Sequence, residues 1–394
     1  MSKYKGKHNL FLLIPLFLIL FAALTVGAVF LSIDLRYRYS ERKIEQEHGE
    51  TDPRNYYYSH LTAKEQLLYR AINKSAEKCE DETEILLYRF TEEEFNKATK
   101  ALNLDKPTLF YVDFGKISLY NDKYKSSVRI SYISGKEDID RMKMEIEAVS
   151  AAAVAYTQLA ENDFEREVIL HDFISRNCEY ISEDRDGESP SQHTAYGALV
   201  EKAAYCDGYS SAYKILLDRC GIECIITEGT ANGANHEWNV VKIDGEYYNV
   251  DVTWDDADLD FAPLLNFHGY FNLNDERLSK THGFSDFFPK PVCKAEGDYY
   301  SMKGVVIEDL DHLFTLAYSE LKRAVEDKLT YFEICPVFEY EADDLKAPIF
   351  EAIKLVNSDA GTTLLSESFR VFSASEGGKG LTVQIYYVDP EELN

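Results

Sequence analysis

Basic residues are scarce in this sequence compared with acidic ones. Its 394 residues include 42 Lys and Arg against 69 Asp and Glu, which gives a formal net charge of −27 at pH 7. Because such an excess of carboxylates repels phosphate backbones, we expect no nucleic-acid partner. In most proteins an acidic surface serves solubility. It would also suit basic substrates such as lysine-bearing peptides.

The residue spacings that characterise metal sites are also missing. No CxxC or HxxxH pair occurs, so no zinc site is predicted. Four histidines have no partner at ligand spacing and are interpreted as structural: His171, His193, His268 and His282. One acidic run lacks the glycine and terminal glutamate of an EF-hand loop and is interpreted as a solvated turn: Asp255, Asp256, Asp258 and Asp260. We therefore expect no metal and no cofactor.

The cysteines do not form the pattern of a disulfide scaffold. There are seven of them, an odd number, so at least one thiol stays free. No cysteine precedes Cys79, which excludes lipidation at a signal-peptide cysteine. Four are predicted to pack as small apolar side chains, with a Cys220–Cys224 bridge as the alternative: Cys178, Cys220, Cys224 and Cys335.

Residues 11–33 form an uncharged apolar run that is long enough to span a bilayer. Lysines precede the run, and it is longer than the apolar region of an ordinary signal peptide. We therefore predict a single-pass anchor that places the rest of the chain outside the cytoplasm. The alternative is a secreted protein released by cleavage near Ala28.

A β-hairpin is predicted over residues 237–252. Asp244-Gly245 is a strong hairpin signal, so strands 237–243 and 246–252 pair with residue numbers that sum to 489. In that register His236 lies diagonal to Asp251 on one face, roughly 7–8 Å away. The other face is apolar, which indicates a half-buried hairpin: Val241, Ile243, Tyr248, Val250 and Val252.

Cys206 is predicted to open an amphipathic helix. Apolar residues recur at helical spacing behind it, and Gly221 suits the C-terminal cap. The residues of this face are Tyr209, Ala212, Tyr213, Leu216, Leu217 and Cys220. A sulfur at a helix N-terminus lies at the positive end of the peptide dipoles, which favours a thiolate, and Gly208 is expected to leave the approach to it open.

Acyl transfer through sulfur needs such a thiol, an imidazole base and a carboxylate that orients the base. Cys206, His236 and Asp251 supply these types in that order.

The segments SQHTAYGALVEKAAYCDGY, GTANGANHEWN and YNVDVTWDD contain these three residues. Over residues 190–275 they resemble the transglutaminase-like superfamily in its bacterial, papain-like form. The resemblance implies an α+β catalytic domain with Cys206 as nucleophile, His236 as general base and Asp251 as its orienting residue. It implies no particular substrate. The chain departs from many relatives at Glu201-Lys202, where they carry Gly-Lys.

An oxyanion hole for this chemistry requires the Cys206 backbone N–H and one further donor. The candidates for the further donor are Gln192, Tyr205 and Trp238.

The predicted organisation has five parts. Residues 1–34 form a cytoplasmic tip and the anchor, 35–58 a spacer and 59–160 a module of helices and a small sheet. Residues 161–294 form the catalytic domain, and 295–394 a small α+β domain. Within the module, capping boxes are predicted at Thr62 and Thr91.

The predicted function is cysteine-dependent amide hydrolysis or acyl transfer on a protein or peptide substrate. Water as acceptor gives a peptidase or amidase, and a lysine amine gives a transglutaminase. The alternative from another class is a catalytically inactive module that binds peptides or cell-wall polymer.

Overall fold

The computed structural model describes residues 20–29, 31–32, 55–86, 88–181, 189–256, 267–373 and 380–388. Residues 20–29 and 31–32 are helical. Across the described ranges, no helix is both long enough and apolar enough to cross a membrane. The remainder of the predicted anchor and nearly all of the predicted spacer lie outside those ranges, so both stay predictions.

The chain divides into two compact units. The first comprises the described residues up to Leu102 together with Phe114–Ser131. It contains helix α1 (Ala63–Glu77) and helix α2 (Glu92–Asp105) as far as Leu102. Its strands β1 (Glu82–Leu86), β2 (Ser118–Asn121) and β3 (Lys125–Arg129) form an antiparallel sheet in the order β1–β3–β2. Both predicted capping boxes are present, at Thr62 with Glu65 and at Thr91 with Glu94.

The second unit comprises Asn103–Asp113 and the described residues from Tyr132 onwards. It begins with the helices α3 (Lys136–Ala155) and α4 (Asp163–Asn177). Asn162 caps α4 by accepting a hydrogen bond from the Glu165 N–H. The short parallel strands β4 (Glu179–Tyr180) and β5 (Ala203–Ala204) then lead to helix α5 (Cys206–Arg219).

An antiparallel sheet follows α5. Its strands are β6 (Cys224–Ala231), β7 (Ala234–Ile243), β8 (Glu246–Val250) and β9 (His282–Phe284), in the order β8–β7–β6–β9.

The predicted hairpin register is confirmed, because Asn239 pairs with Val250 and Val241 with Tyr248. The expectation that only one face is buried is wrong. Trp238 and Val240, on the opposite face from Val241, are buried as well. The sheet is therefore covered on both sides around the residues of interest.

Two short helices, α6 (Val252–Asp255) and α7 (Asp275–Leu278), lie between β8 and β9 in the chain. The C-terminal part begins with helix α8 (Tyr299–Lys303) and strand β10 (Val306–Ile307). It continues with α9 (Leu310–Asp327), β11 (Tyr331–Pro336), α10 (Lys346–Ala360), β12 (Leu365–Ser373) and β13 (Leu381–Tyr387).

The four strands of this part form a sheet in the order β10–β11–β13–β12. Helices α9 and α10 pack their apolar faces on this sheet in one core that includes Leu313, Leu321, Ile349, Ile353, Phe332 and Val383.

Candidate active site

Cys206 is the first residue of helix α5, as predicted, and its side chain is partly exposed. Tyr209, Ala212, Leu216 and the rest of the predicted face up to Leu217 are buried, which fixes the helix against the sheet. Gly221 follows the helix with φ +78°, the left-handed conformation that glycine adopts most easily. Cys220 and Cys224 are both free thiols, so the alternative bridge between them is absent.

Gly208 has a different role from the predicted one. A Cβ on Gly208 would lie 2.7 Å from the Ala204 Cβ and 2.9 Å from the Gln192 carbonyl oxygen. The glycine therefore allows the first turn of α5 to pack against the segment that precedes it. The expectation that it keeps the approach to sulfur open is not what the contacts show.

His236 and Asp251 are hydrogen-bonded, with 2.7 Å between His236 Nε2 and Asp251 Oδ2. His236 lies on β7, while Asp251 follows the last residue of β8 and caps α6 by accepting from the Trp254 N–H through Oδ1 at 3.2 Å. Because Nε2 faces Asp251, Nδ1 is the ring nitrogen left for Cys206. The hairpin thus joins the imidazole and the carboxylate, as its register predicts.

In this buried pair, each residue stabilises the charged form of the other. Burial disfavours an imidazolium, but the charge and hydrogen bond of Asp251, with a further contribution from Cys206, raise the pKa of His236 to about 10. Burial raises the pKa of Asp251, but His236 and His282 outweigh it and lower that pKa to about 2. The arrangement favours an imidazolium next to the Cys206 sulfur at neutral pH.

His282 is the residue of this site that the sequence prediction missed. Its Nε2 lies 3.0 Å from Asp251 Oδ2, the same oxygen that binds His236. The sequence interpretation of His282 as structural rather than metal-binding did not foresee this hydrogen bond to Asp251. No local pattern marks it, because it lies on the three-residue strand β9, 31 positions after Asp251.

An open cleft of about 640 Å³ exposes Cys206 and His236. The described residues that line it include three carboxylates and two histidines, with no lysine or arginine among them: Tyr180, His193, Tyr205, Cys206, Asp207, Glu228, Gly229, Asn235, His236, Glu237 and Ser285. A cleft of this composition attracts a cationic group.

The three oxyanion candidates occupy different places. The indole N–H of Trp238 donates to Asn249 Oδ1 at 3.2 Å, and the side chain is buried, so this donor is directed away from the cleft. Tyr205 lines the cleft, where its ring stacks on His193 with a centroid distance of 4.5 Å. The Gln192 side-chain oxygen accepts from the Ser189 N–H at 2.9 Å.

A second buried polar cluster lies between α4 and β11. The imidazole of His268 bonds Glu333 through Nδ1 at 2.8 Å and Asp172 through Nε2 at 2.9 Å. Burial lowers the pKa of His268, but the two carboxylates outweigh it and raise that pKa to about 9. His171 Nδ1 lies 3.3 Å from the same Asp172 oxygen. His171 and His268, interpreted from the sequence as structural, thus have carboxylate partners that are remote in the chain or that no ligand spacing marks.

Asp255 belongs to this cluster rather than to a solvated turn. It is buried, its Oδ1 accepts from the Tyr270 N–H at 2.9 Å, and burial raises its pKa. Asp256 accepts a hydrogen bond from the Tyr209 hydroxyl. Asp258 and Asp260 lie outside the described residues.

Two groups of metal-ligand residue types converge within the described chain. They are His236 with Asp251 and His282, and His171 with Asp172 and His268. The shortest nitrogen–oxygen separations are 2.7 Å in the first and 2.9 Å in the second. Two ligands of one tetrahedral zinc ion stand about 3.3 Å apart, given Zn–N distances of about 2.0–2.1 Å. Both groups therefore have the spacing of hydrogen-bonded ion pairs.

Residues 150–252 match the family model of the transglutaminase-like superfamily, and that stretch contains Cys206, His236 and Asp251. The chain contains a transglutaminase-like domain. This result confirms the resemblance noted in the three sequence segments.

The similar proteins share only part of their length with this chain. Mouse kyphoscoliosis peptidase is 25% identical over 109 residues, which are 25% of this chain and 16% of the mouse protein. A crystal structure of a TGase is 14% identical with a TM-score of 0.27, covering 45% of this chain and 52% of that one. A proposed cysteine protease from Cytophaga hutchinsonii is 15% identical with a TM-score of 0.24, covering 35% and 61%.

Proposed function

We propose that this chain catalyses amide hydrolysis or acyl transfer on a protein or peptide substrate through a thioester at Cys206. One observation carries the proposal. A partly exposed cysteine at a helix start shares an open cleft with an imidazole that a buried carboxylate holds at 2.7 Å. Cys206 is then the nucleophile, His236 the general base and acid, and Asp251 the orienting residue.

The first half-reaction forms the thioester. The Cys206 sulfur, whose proton has passed to His236 Nδ1, attacks the amide carbonyl carbon. The oxyanion of the tetrahedral intermediate is stabilised by the Cys206 backbone N–H, with Tyr205 in the cleft as a candidate second donor. As the C–N bond breaks, the His236 imidazolium gives its proton to the leaving nitrogen, which departs as ammonia or an amine.

The second half-reaction consumes the thioester. His236, now neutral, removes a proton from the acceptor, whose oxygen or nitrogen attacks the acyl carbon and expels the sulfur. Water gives a carboxylic acid, and a primary amine gives a new amide. We favour hydrolysis because water reaches an open cleft without a binding step. The three carboxylates of the lining favour a cationic amine as the competing acceptor.

We also propose that residues 11–33 anchor the protein in the cell membrane with the catalytic part outside the cytoplasm. The support is the uncharged apolar run and the lysines that precede it. Secretion after cleavage near Ala28 is the alternative. Mass spectrometry of the N-terminus of the protein isolated from cells distinguishes the two.

Thiol reactivity tests the catalytic proposal against the inactive binding module. We would label the full chain with iodoacetamide from pH 5 to pH 9 and quantify each cysteine by peptide mass spectrometry. Cys79, which is partly exposed and remote in sequence, serves as the reference thiol in the same sample. At pH 6 we expect Cys206 to react at least about tenfold faster than Cys79 and His236→Ala to remove the difference. Equal pH profiles, unaffected by His236→Ala, would reject the catalytic proposal and favour the binding module.

The acceptor requires a separate assay. The chain is incubated with casein and a biotinylated primary amine, and both biotin incorporation and released ammonia are measured. Ammonia without incorporation identifies hydrolysis, whereas incorporation that depends on Cys206 identifies transamidation.

A further inference from the structure

Asp251 holds two imidazoles on one oxygen. Its Oδ2 lies 2.7 Å from His236 Nε2 and 3.0 Å from His282 Nε2, while Oδ1 accepts from the Trp254 N–H. Asp251 and His282 are both buried and have no solvent-exposed side-chain surface. Because a carboxylate is an acceptor only, each imidazole must present an N–H to it. His282 therefore carries a proton on Nε2.

The other side of His282 is arranged so that this proton stays in place. Its Nδ1 lies 2.8 Å from Thr281 Oγ1, and the same hydroxyl lies 3.3 Å from the Leu278 carbonyl oxygen. When His282 is neutral, the Thr281 hydroxyl donates to Nδ1. When His282 is charged, Nδ1–H donates to the hydroxyl, which turns to Leu278. In both charge states Nε2–H remains directed at Asp251.

Backbone pairing and ring packing fix the position of His282. It pairs with Ala231 of β6, and the next residue approaches β6 so closely that a Cβ on Gly229 would lie 1.9 Å from the Gly283 carbonyl oxygen. The His282 ring lies 4.6 Å from that of Trp254 and 5.2 Å from that of Trp238, measured between centroids. The pairing of β9 with β6 and the contacts with the two indole rings together fix the position of the imidazole.

We propose that His282 is a positioning residue that orients Asp251 toward His236 and keeps it ionised. This inference rests on the proposed function, since it assigns His282 a role in the same acyl-transfer site. A carboxylate with a donor on each oxygen and two on Oδ2 cannot rotate without losing a hydrogen bond. Its lone pairs therefore stay aligned with His236 Nε2.

A pH profile separates positioning from simple packing. Besides each other, Asp251 and His282 face two titratable groups of the described chain, His236 and Tyr270, and Cys206 faces His236. Fast labelling of Cys206 ends at low pH when Asp251 is protonated and releases His236. Loss of the His282 N–H removes one stabilising donor from the Asp251 anion and raises its pKa. The acidic limb of the profile, the pH range in which fast labelling is lost, therefore moves to higher pH.

The experiment compares His282→Leu with His282→Gln in the full chain. The glutamine amide N–H occupies nearly the position of Nε2 but carries no charge. We follow Cys206 labelling from pH 2 to pH 6, expect His282→Leu to move the acidic limb upward by about 1 pH unit, and expect His282→Gln to restore most of that shift. Phe284→Leu, in the same strand and ring cluster, should lower the melting temperature without moving the limb.

Two outcomes overturn the inference, and neither is confused with failure of the proposed function. If Cys206 is activated in the unchanged protein and His282→Leu leaves its pH profile unaltered, His282 only packs. If His282→Leu and Phe284→Leu shift the profile equally, the effect is structural. Lack of activation in the unchanged protein would instead reject the proposed function itself.

Discussion

Replacing Asp251 by asparagine keeps the shape of the side chain and removes its charge. Asp251→Asn retains one oxygen, which can face His236 and His282, but its amide group then meets the Trp254 N–H as a second donor. The substitution therefore removes the ion pair at His236 and one cap of helix α6 together.

The size of the effect follows from the charges around His236. Its pKa stands at about 10 because Asp251, with help from Cys206, outweighs burial. Without that charge, burial acts against the imidazolium, and we expect the pKa of His236 to fall to its ordinary value of about 6.5 or below. At pH 7.5 the protonated fraction of the imidazole then drops from nearly complete to about one tenth.

Two measurements test this expectation. A nuclear magnetic resonance titration of the His236 ring, assigned by its loss in His236→Gln, gives the midpoint directly. Iodoacetamide labelling of Cys206 at pH 7.5 should slow by about tenfold with the imidazolium population. Asp207→Asn is the matched control, because Asp207 is a carboxylate of the same cleft that pairs with His193 instead. A His236 midpoint that moves by less than about 0.5 in Asp251→Asn would refute the reasoning.

Three further predictions concern the fold around the site. Raising the pKa of His268 from 6.5 to about 9 stabilises the folded state by up to about 3 kcal/mol below pH 6.5, and this stabilisation is lost as the pH rises through 9. Glu333→Gln should therefore lower the free energy of unfolding in urea more at pH 6 than at pH 9.5, and an equal loss at both values would contradict the pairing. Burial raises the pKa of Glu167 to about 8, so its contribution to stability falls as the pH rises from 4.5 to 8. Glu167→Gln should raise the melting temperature at pH 8.5 by at least about 2 °C, and a decrease there would exclude a destabilising charge. Gly229→Ala places a Cβ against the Gly283 backbone and should cost about 3 kcal/mol in thermal unfolding, whereas a loss below about 0.5 kcal/mol would show that β6 and β9 can separate.

Much of the candidate site was predictable because its geometry is local in sequence. The pairing of His236 with Asp251 follows from one turn, Asp244-Gly245, which sets the register of two adjacent strands. The helix that begins at Cys206 follows from apolar residues at helical spacing and from Gly221.

The predictions failed where contacts join residues that are far apart in the chain. Asp172 and His268 are separated by 96 positions, and His268 and Glu333 by 65, so no spacing rule could pair them. The burial of both sheet faces was missed because Trp238 and Val240 are covered by elements outside the hairpin.

The amino-acid sequence by itself determined the hairpin register, the helix that carries Cys206 and the match of residues 150–252 to the family model of the transglutaminase-like superfamily. Only the tertiary structure decided that His282 reaches Asp251 and that a buried ion cluster links α4 to β11. Local periodicity and turn chemistry act over a few residues. The three-residue strand β9 owes its place to pairing with β6 and to the rings around His282, and these exist only once the chain has folded.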